Sequence, residues 1–203
     1  MANLPPTKGN LIAVKRSRAL AENGFELMDK KRNILIREMM TLIDSATELQ
    51  SRIDATFSEA YIAIRLANIS MGGAEDIADS MPTDKSVRVR YRSVMGVELP
   101  TVTGAPTDTS VLPYGFLGTT SALDDAYKKF TKVKELTLEM AELENSIYRL
   151  AYYIKKAQKR ANALHNIVIP NLDTDIARIS EELEEKEREE FVRLKVIKAK
   201  KTV

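Results

Sequence analysis

LIREMMTLIDSATELQSRIDATFSEAYIAIRLA, residues 35–67, carries the pattern that decides the fold. Alternating steps of four and three residues meet Leu35, Met39, Leu42, Ala46, Leu49, Ile53, Thr56, Ala60, Ala63 and Ala67, an apolar seam broken by one hydroxyl. A spacing of about 3.5 residues drifts around a straight α-helix, whose period is 3.6. Holding the seam for many heptads therefore calls for two helices wound left-handed about each other. Toward the N-terminus the same steps continue through Arg32, Met28, Phe25, Ala21, Arg18, Val14 and Leu11, with only the two arginines interrupting.

A second stretch repeats the pattern. Ala122, Ala126, Lys129, Val133, Leu136, Met140, Leu143, Ile147, Leu150, Ile154, Ala157, Ala161, Leu164 and Val168 form its seam. Beyond Pro170 the seam slips by one residue, to Leu172, Ile176, Ile179 and Leu183. Proline lacks an N–H and crowds the carbonyl four residues back, so a kink or a locally opened ladder is expected near Pro170. The small seam residues Ala46, Ala60, Ala63 and Ala67 are expected to make room for Met140, Leu143, Ile147 and Leu150 on the other helix.

Glycine and proline set the boundaries. Apart from Gly24 and Pro170, all of them lie before residue 10 or between 72 and 118. The chain thus reads as an N-terminal helix over 10–71, a head over 72–120 and a C-terminal helix over 121–203. At 1.5 Å per residue the two helices would run roughly 90 and 120 Å, and the longer second helix would project beyond the first at one end. Gly72-Gly73 close the first helix, and Ser121 is the expected N-cap of the second, with Asp124 and Asp125 in its first turn. The fold class is mainly α: a long antiparallel two-helix coiled coil with a small β-hairpin-containing head.

Within the head, Val87, Val89 and Tyr91 alternate with Arg88, Arg90 and Arg92, and Val97, Leu99 and Thr101 follow Gly96. A period of two reads as strands, and Pro100 favours an edge. The apolar run Val111-Leu112-Pro113-Tyr114-Gly115-Phe116-Leu117-Gly118 has no obvious place to bury itself and is expected to meet a partner or the helices.

Composition supports an extended helical protein. Charged residues make up 30% and aromatics 6% of the 203 residues, with no Trp. The net charge of +2 does not demand a polyanionic partner. The absence of cysteine removes disulfides and thiol chemistry and fits a reducing compartment. MANLPPTKGN has no apolar signal core, and no run reaches the roughly 18–20 apolar residues of a membrane span, so a cytoplasmic chain without direct membrane insertion is expected.

Catalytic and metal-binding motifs are not present. There is no phosphate-binding loop, paired-histidine motif or nucleophile elbow. The single histidine, His165, flanks the seam beside Leu164. The carboxylates of 181–190 alternate with Lys186 and Arg188 at helical spacing, as a solvated face does. Basic residues gather at the chain ends: Lys15, Arg16 and Arg18 near the start, and Arg193, Lys195 and Lys198 near the finish. An antiparallel pair brings them to one tip, where the lack of stacking aromatics argues for a protein-facing or solvated surface and against nucleic acid.

In the C-terminal third stand Arg160-Ala161-Asn162-Ala163-Leu164, Ile169-Pro170, Glu187-Arg188-Glu189-Glu190 and Arg193-Leu194-Lys195, and in the head Val94-Met95-Gly96-Val97 and Tyr114-Gly115-Phe116-Leu117. With these motifs the chain resembles the D subunit of V/A-type rotary ATPases. His165 stands where an acidic residue is often found. The resemblance implies a non-catalytic central rotor shaft, without a cofactor of its own, peripheral to the membrane as part of a larger complex. Its tip, with Lys15, Arg16, Arg18, Arg193, Lys195 and Lys198, would turn in the hexamer of catalytic and nucleotide-binding subunits. Its head, with Val87, Val89, Tyr91, Tyr114, Phe116 and Leu117, would hold the small F subunit of the central stalk or the funnel-shaped subunit on the membrane ring. A prefoldin-like chaperone or scaffold hairpin is the competing reading; its arms are shorter, and Arg193-Leu194-Lys195 has no counterpart there.

Overall fold

The computed structural model describes residues 5–73, 75–104 and 112–201. In chain order it contains α1 (Lys8–Met71), α2 (Glu75–Ser80), β1 (Arg88–Val94), β2 (Val97–Thr103), α3 (Ser121–Ala163), a π-helical turn (Leu164–Val168) and α4 (Ile169–Lys201). The long N- and C-terminal helices pack together, and the β1–β2 hairpin lies between them in sequence. Two compact units result: residues 1–34 with 154–203, and residues 35–153.

The seam read from sequence is the buried line of each helix. Every seam residue from Leu11 to Ala67 and from Ala122 to Val168 is buried or half-buried, and so are Leu172, Ile176, Ile179 and Leu183. Leu35, Ala60, Ala67, Leu150 and Ile179 have no exposed surface. Burying a Leu or Ile side chain contributes about 1.5–3 kcal/mol, so the seam is the main source of stability in both units.

In the first unit, Phe25 stacks on His165 at 5.0 Å, Arg32 donates to Gln158 at 2.5 Å and Arg18 to Asp173 at 2.6 Å. Lys8 pairs with Glu187 at 2.8 Å. Partner numbers rise as those on α1 fall, which is the antiparallel arrangement. The two arginines that interrupt the apolar pattern are the seam's polar cross-links, and Arg32 also pairs with Asp29 at 2.6 Å. Thr7 caps α1: its hydroxyl accepts the Asn10 N–H at 3.2 Å and its carbonyl the Leu11 N–H at 3.0 Å.

The ladder changes form just before Pro170. Across Leu164–Val168 it widens by one residue, and the Ile169 N–H donates to the Leu164 carbonyl, five residues back. A π-turn inserts one extra residue. That residue is the one-position slip of the seam between Val168 and Leu172.

In the second unit, Leu49, Ile53 and Leu136 form one core with Phe57, Met140 and Leu143 around it. Ala67, Leu123 and Tyr114 form another, joined by Ile64, Met71, Leu112 and Tyr127. The expected matching of alanines with bulky residues holds for Ala46, which lines one groove with Met140 and Ile147, and is corrected for Ala67. The antiparallel register sets Ala67 against Leu123 at the start of α3, far along the helix from Met140–Leu150, and the ring filling the space beside it is Tyr114. The expected cap is corrected too. Ser121 is the first helical residue, and the carbonyl of Thr120 accepts the Leu123 and Asp124 N–H groups at 2.9 and 3.4 Å. Gly72, at φ 81°, ends α1 in the left-handed conformation.

The hairpin closes through Met95 and Gly96, at φ 52° and 74°, a two-residue turn whose hand matches the twist of its strands. Val94 pairs with Val97, Tyr91 with Pro100 and Arg88 with Thr103. β2 is the inner strand, with Val97, Leu99 and Pro100 buried, whereas β1 is exposed along its length up to Val94. α3 holds β2 by its edge: Glu142 accepts the Val102 N–H at 2.8 Å and Arg149 donates to the Glu98 carbonyl at 3.0 Å.

Candidate partner-binding surfaces

At the end of α4, every residue from 184 to 201 is exposed. Lys8, the first residue of α1, pairs with Glu187, so the last turns of α4 lie past the start of α1. Phe191 is 69%, Leu194 65% and Ile197 54% exposed, and Val192 and Val196 are also open. At about 100° per residue these five side chains point around the whole circumference. Five large apolar side chains left open within seven residues mark a surface suited to a partner, with Arg193 and Lys195 set among them. Reading the basic residues alone missed this apolar surface. The sequence signal was five apolar residues in seven, 191–197, at a place where the first helix has not yet begun.

The basic residues expected at this tip fall into two groups. Lys15, Arg16, Lys195 and Lys198 are exposed. Arg193 pairs with Glu189 at 3.2 Å, one helical turn away. Arg18 is turned inward, between Asp173 at 2.6 Å and Glu22 at 2.9 Å, and those carboxylates hold its guanidinium more firmly protonated than usual. Solvent screens such half-exposed pairs, so Arg18 serves alignment more than affinity.

The head residues also separate. Val87, Val89 and Tyr91 are 41%, 51% and 58% exposed, and the Arg149 guanidinium sits over the Tyr91 ring at 5.1 Å. Tyr114 is 7% exposed and packs edge-on to Tyr127 at 5.9 Å. Its hydroxyl donates to Asp124 at 2.7 Å, and burial, together with that carboxylate, pushes its pKa well above the ordinary tyrosine value. Phe116 and Leu117, by contrast, are 76% and 99% exposed. The run expected to lack a burial place is therefore divided, with Leu112 and Tyr114 inside and Phe116 and Leu117 outside; Val111 lies outside the described residues.

A cleft of about 560 Å³ in the second unit is lined by Met81, Pro82, Asp84, Tyr127, Phe130 and Lys134. Its carboxylate is occupied: Lys134 donates to Asp84, and the Ser86 N–H does so at 2.7 Å. Those bonds hold the Asp84 carboxyl far below the usual range, where it neither donates nor accepts protons at neutral pH. His165 is engaged with Phe25. Among the described residues no cluster of His, Cys, Asp and Glu could hold a metal ion, and no helix is long and apolar enough to cross a membrane.

Comparison with known proteins agrees with this architecture. The family described as the ATP synthase D subunit matches residues 10–199. The chain is similar to the V-type ATP synthase D subunit of Thermotoga neapolitana, 42% identical over 200 residues that cover 98% of each chain. It is also similar to the A-type ATP synthase D subunits of Pyrococcus furiosus, 38% identical over 96% of this chain and 92% of the relative, and of Desulfurococcus, 32% identical over 98% and 95%. A match of this length, carried through both helices and the head, makes the chain a member of the ATP synthase D subunit family, and hence a component of a V/A-type ATP synthase complex.

Proposed function

We propose that this chain is the non-catalytic central rotor shaft of its complex, passing torque between the catalytic hexamer and the membrane ring that moves ions. The observation that carries the reading is the end of α4, where every residue from 184 to 201 is exposed and Phe191, Val192, Leu194, Val196 and Ile197 stand open to solvent among charged side chains. Such a surface suits a close-fitting sleeve built by the catalytic and nucleotide-binding subunits, in which apolar contacts slide without fixed ion pairs to break. The basic residues Lys15, Arg16, Arg193, Lys195 and Lys198 would steer the tip within that sleeve.

A shaft must resist twisting, and the interlocked seam with its cross-links Arg18–Asp173 and Arg32–Gln158 supplies that resistance. It must also be asymmetric, so that turning presents different faces to successive catalytic sites. Two unlike helices, one carrying a π-turn, meet that need. The exposed head residues Val87, Val89, Tyr91, Phe116 and Leu117 would take the small F subunit and the funnel-shaped subunit on the membrane ring, with Tyr114 bracing them from inside. In this reading the shaft holds no nucleotide and biases which catalytic site is open.

The test is ATP turnover by a reconstituted catalytic ring, alone, with the full chain, and with a chain lacking residues 190–203. Stoichiometric binding and altered turnover with the full chain, lost on truncation, are expected. Equal binding and turnover with the truncated chain would overturn the sleeve reading.

A further inference from the structure

The two edges of the hairpin are treated in opposite ways. A two-residue turn makes Val94 and Val97 a hydrogen-bonded pair, and the alternation of an antiparallel ladder then directs the backbone N–H and C=O groups of Arg92, Arg90 and Arg88 toward β2. Glu98, Pro100 and Val102 direct their backbone groups outward from β2, and Val89, Tyr91 and Ser93 direct theirs outward from β1. The β2 edge is closed in three ways. Glu142 takes the Val102 N–H, Arg149 takes the Glu98 carbonyl, and Pro100 has no N–H. Among the described residues, no hydrogen bond engages the backbone of Val89, Tyr91 or Ser93.

Open strand edges invite pairing, and proteins usually blunt them. Along this edge stand Arg88, Arg90 and Arg92, all exposed, on one face of the strand. Their cross-strand neighbours are Thr103, Thr101 and Leu99, none of them acidic. No ion pair among the described residues includes these arginines. Three guanidinium groups at every second residue of an open edge form a ladder that a strand with matching carboxylates would satisfy twice, through its backbone and through its side chains.

We propose that β1 receives an added strand from a partner subunit of the complex, one in which acidic residues facing Arg88, Arg90 and Arg92 alternate with apolar residues facing Val89 and Tyr91. Directly opposite residues of neighbouring strands share a face at about 5 Å, close enough for guanidinium–carboxylate pairs. Strand addition of this kind takes its affinity from the main chain and its specificity from alternate side chains. An anionic lipid surface fits less well, because the arginines and the exposed apolar residues lie on opposite faces of the ribbon and cannot meet one plane together. The proposal rests on membership of the complex and holds whether or not the chain rotates within it.

The test is amide hydrogen exchange across residues 88–94 in the isolated chain and in the purified complex. In the complex, exchange at Val89, Tyr91 and Ser93 should slow by roughly tenfold or more, and the triple variant Arg88→Glu, Arg90→Glu, Arg92→Glu should abolish that slowing. A complex containing Arg90→Lys should couple to a partner carboxylate when treated with a zero-length carbodiimide. Unchanged exchange on assembly would overturn the proposal. So would protection that survives charge reversal, or arginine-dependent binding of the isolated chain to phosphatidylglycerol vesicles with no protection of β1 in the complex.

Discussion

Tyr114 shows how one side chain joins the head to the helices. Its ring fills the space beside Ala67 and Leu123, and its hydroxyl reaches Asp124 in the first turn of α3. A hydrogen bond to a carboxylate contributes about 1.5–3 kcal/mol, so Tyr114→Phe should lower unfolding free energy by about that amount at pH 7, measured by chemical denaturation. The sign with pH follows from the raised pKa. The folded state holds the phenolic proton more tightly than the unfolded state, whose tyrosine titrates near 10.0, so the stabilisation is complete below that pH and declines as pH rises through and beyond it. The Phe variant should lack this alkaline decline, and an identical decline in both proteins would contradict the assignment. Gly24 lies inside α1, where an added Cβ would meet Leu164 Cδ1 at 3.6 Å, an ordinary contact. Gly24→Ala should therefore stabilise by about 0.5–1 kcal/mol, the gain expected in a helix interior, and a loss of stability would mean that the contact is tighter than this distance implies. Met95 holds φ 52° in the hairpin turn, a region costing a non-glycine residue about 1–2 kcal/mol. Met95→Gly should recover part of that, read as a higher unfolding midpoint.

At the scale of elements, the π-turn is the feature the sequence shows only indirectly. The seam slips by one residue between Val168 and Leu172, which by itself could mean a bend, a stutter or an insertion. The structure resolves it as one extra residue within Leu164–Val168. Deleting Asn166 while changing Pro170→Ala should bring Leu164, Ile169, Leu172 and Ile176 onto one continuous seam. The variant should keep the thermal midpoint of the parent or exceed it. A loss of more than about 2 kcal/mol would show that the π-turn is held by something other than register. The seams were legible because burial along a helix pair is strictly periodic, and the strands were legible from their period of two. The pairing of particular seam residues was not. Ala67 facing Leu123, and not the Met140–Leu150 stretch, depends on the antiparallel register, which periodicity alone does not define. Thr120 acting as the cap in place of Ser121 turns on backbone geometry one residue wide, where both residues are equally suitable by type.

For the whole molecule, membership of the ATP synthase D subunit family rests on a match over residues 10–199, through both long helices and the head. The candidate surfaces were partly readable. The basic chain ends and the strand pattern of the head are compositional, but the fully exposed apolar end of α4 emerges only once the start of α1 is known to lie opposite Glu187. Likewise Phe116 and Leu117 separate from Tyr114 only when the second unit's core is seen. In the proposed function the chain turns as a shaft. It contains no cysteine, so a single Leu117→Cys substitution, at a side chain 99% exposed, gives a unique attachment point for a bead in the surface-fixed catalytic ring. With ATP the bead should rotate persistently in one direction. A bead that stays still or only fluctuates, while the same ring hydrolyses ATP and retains the chain, would contradict the account.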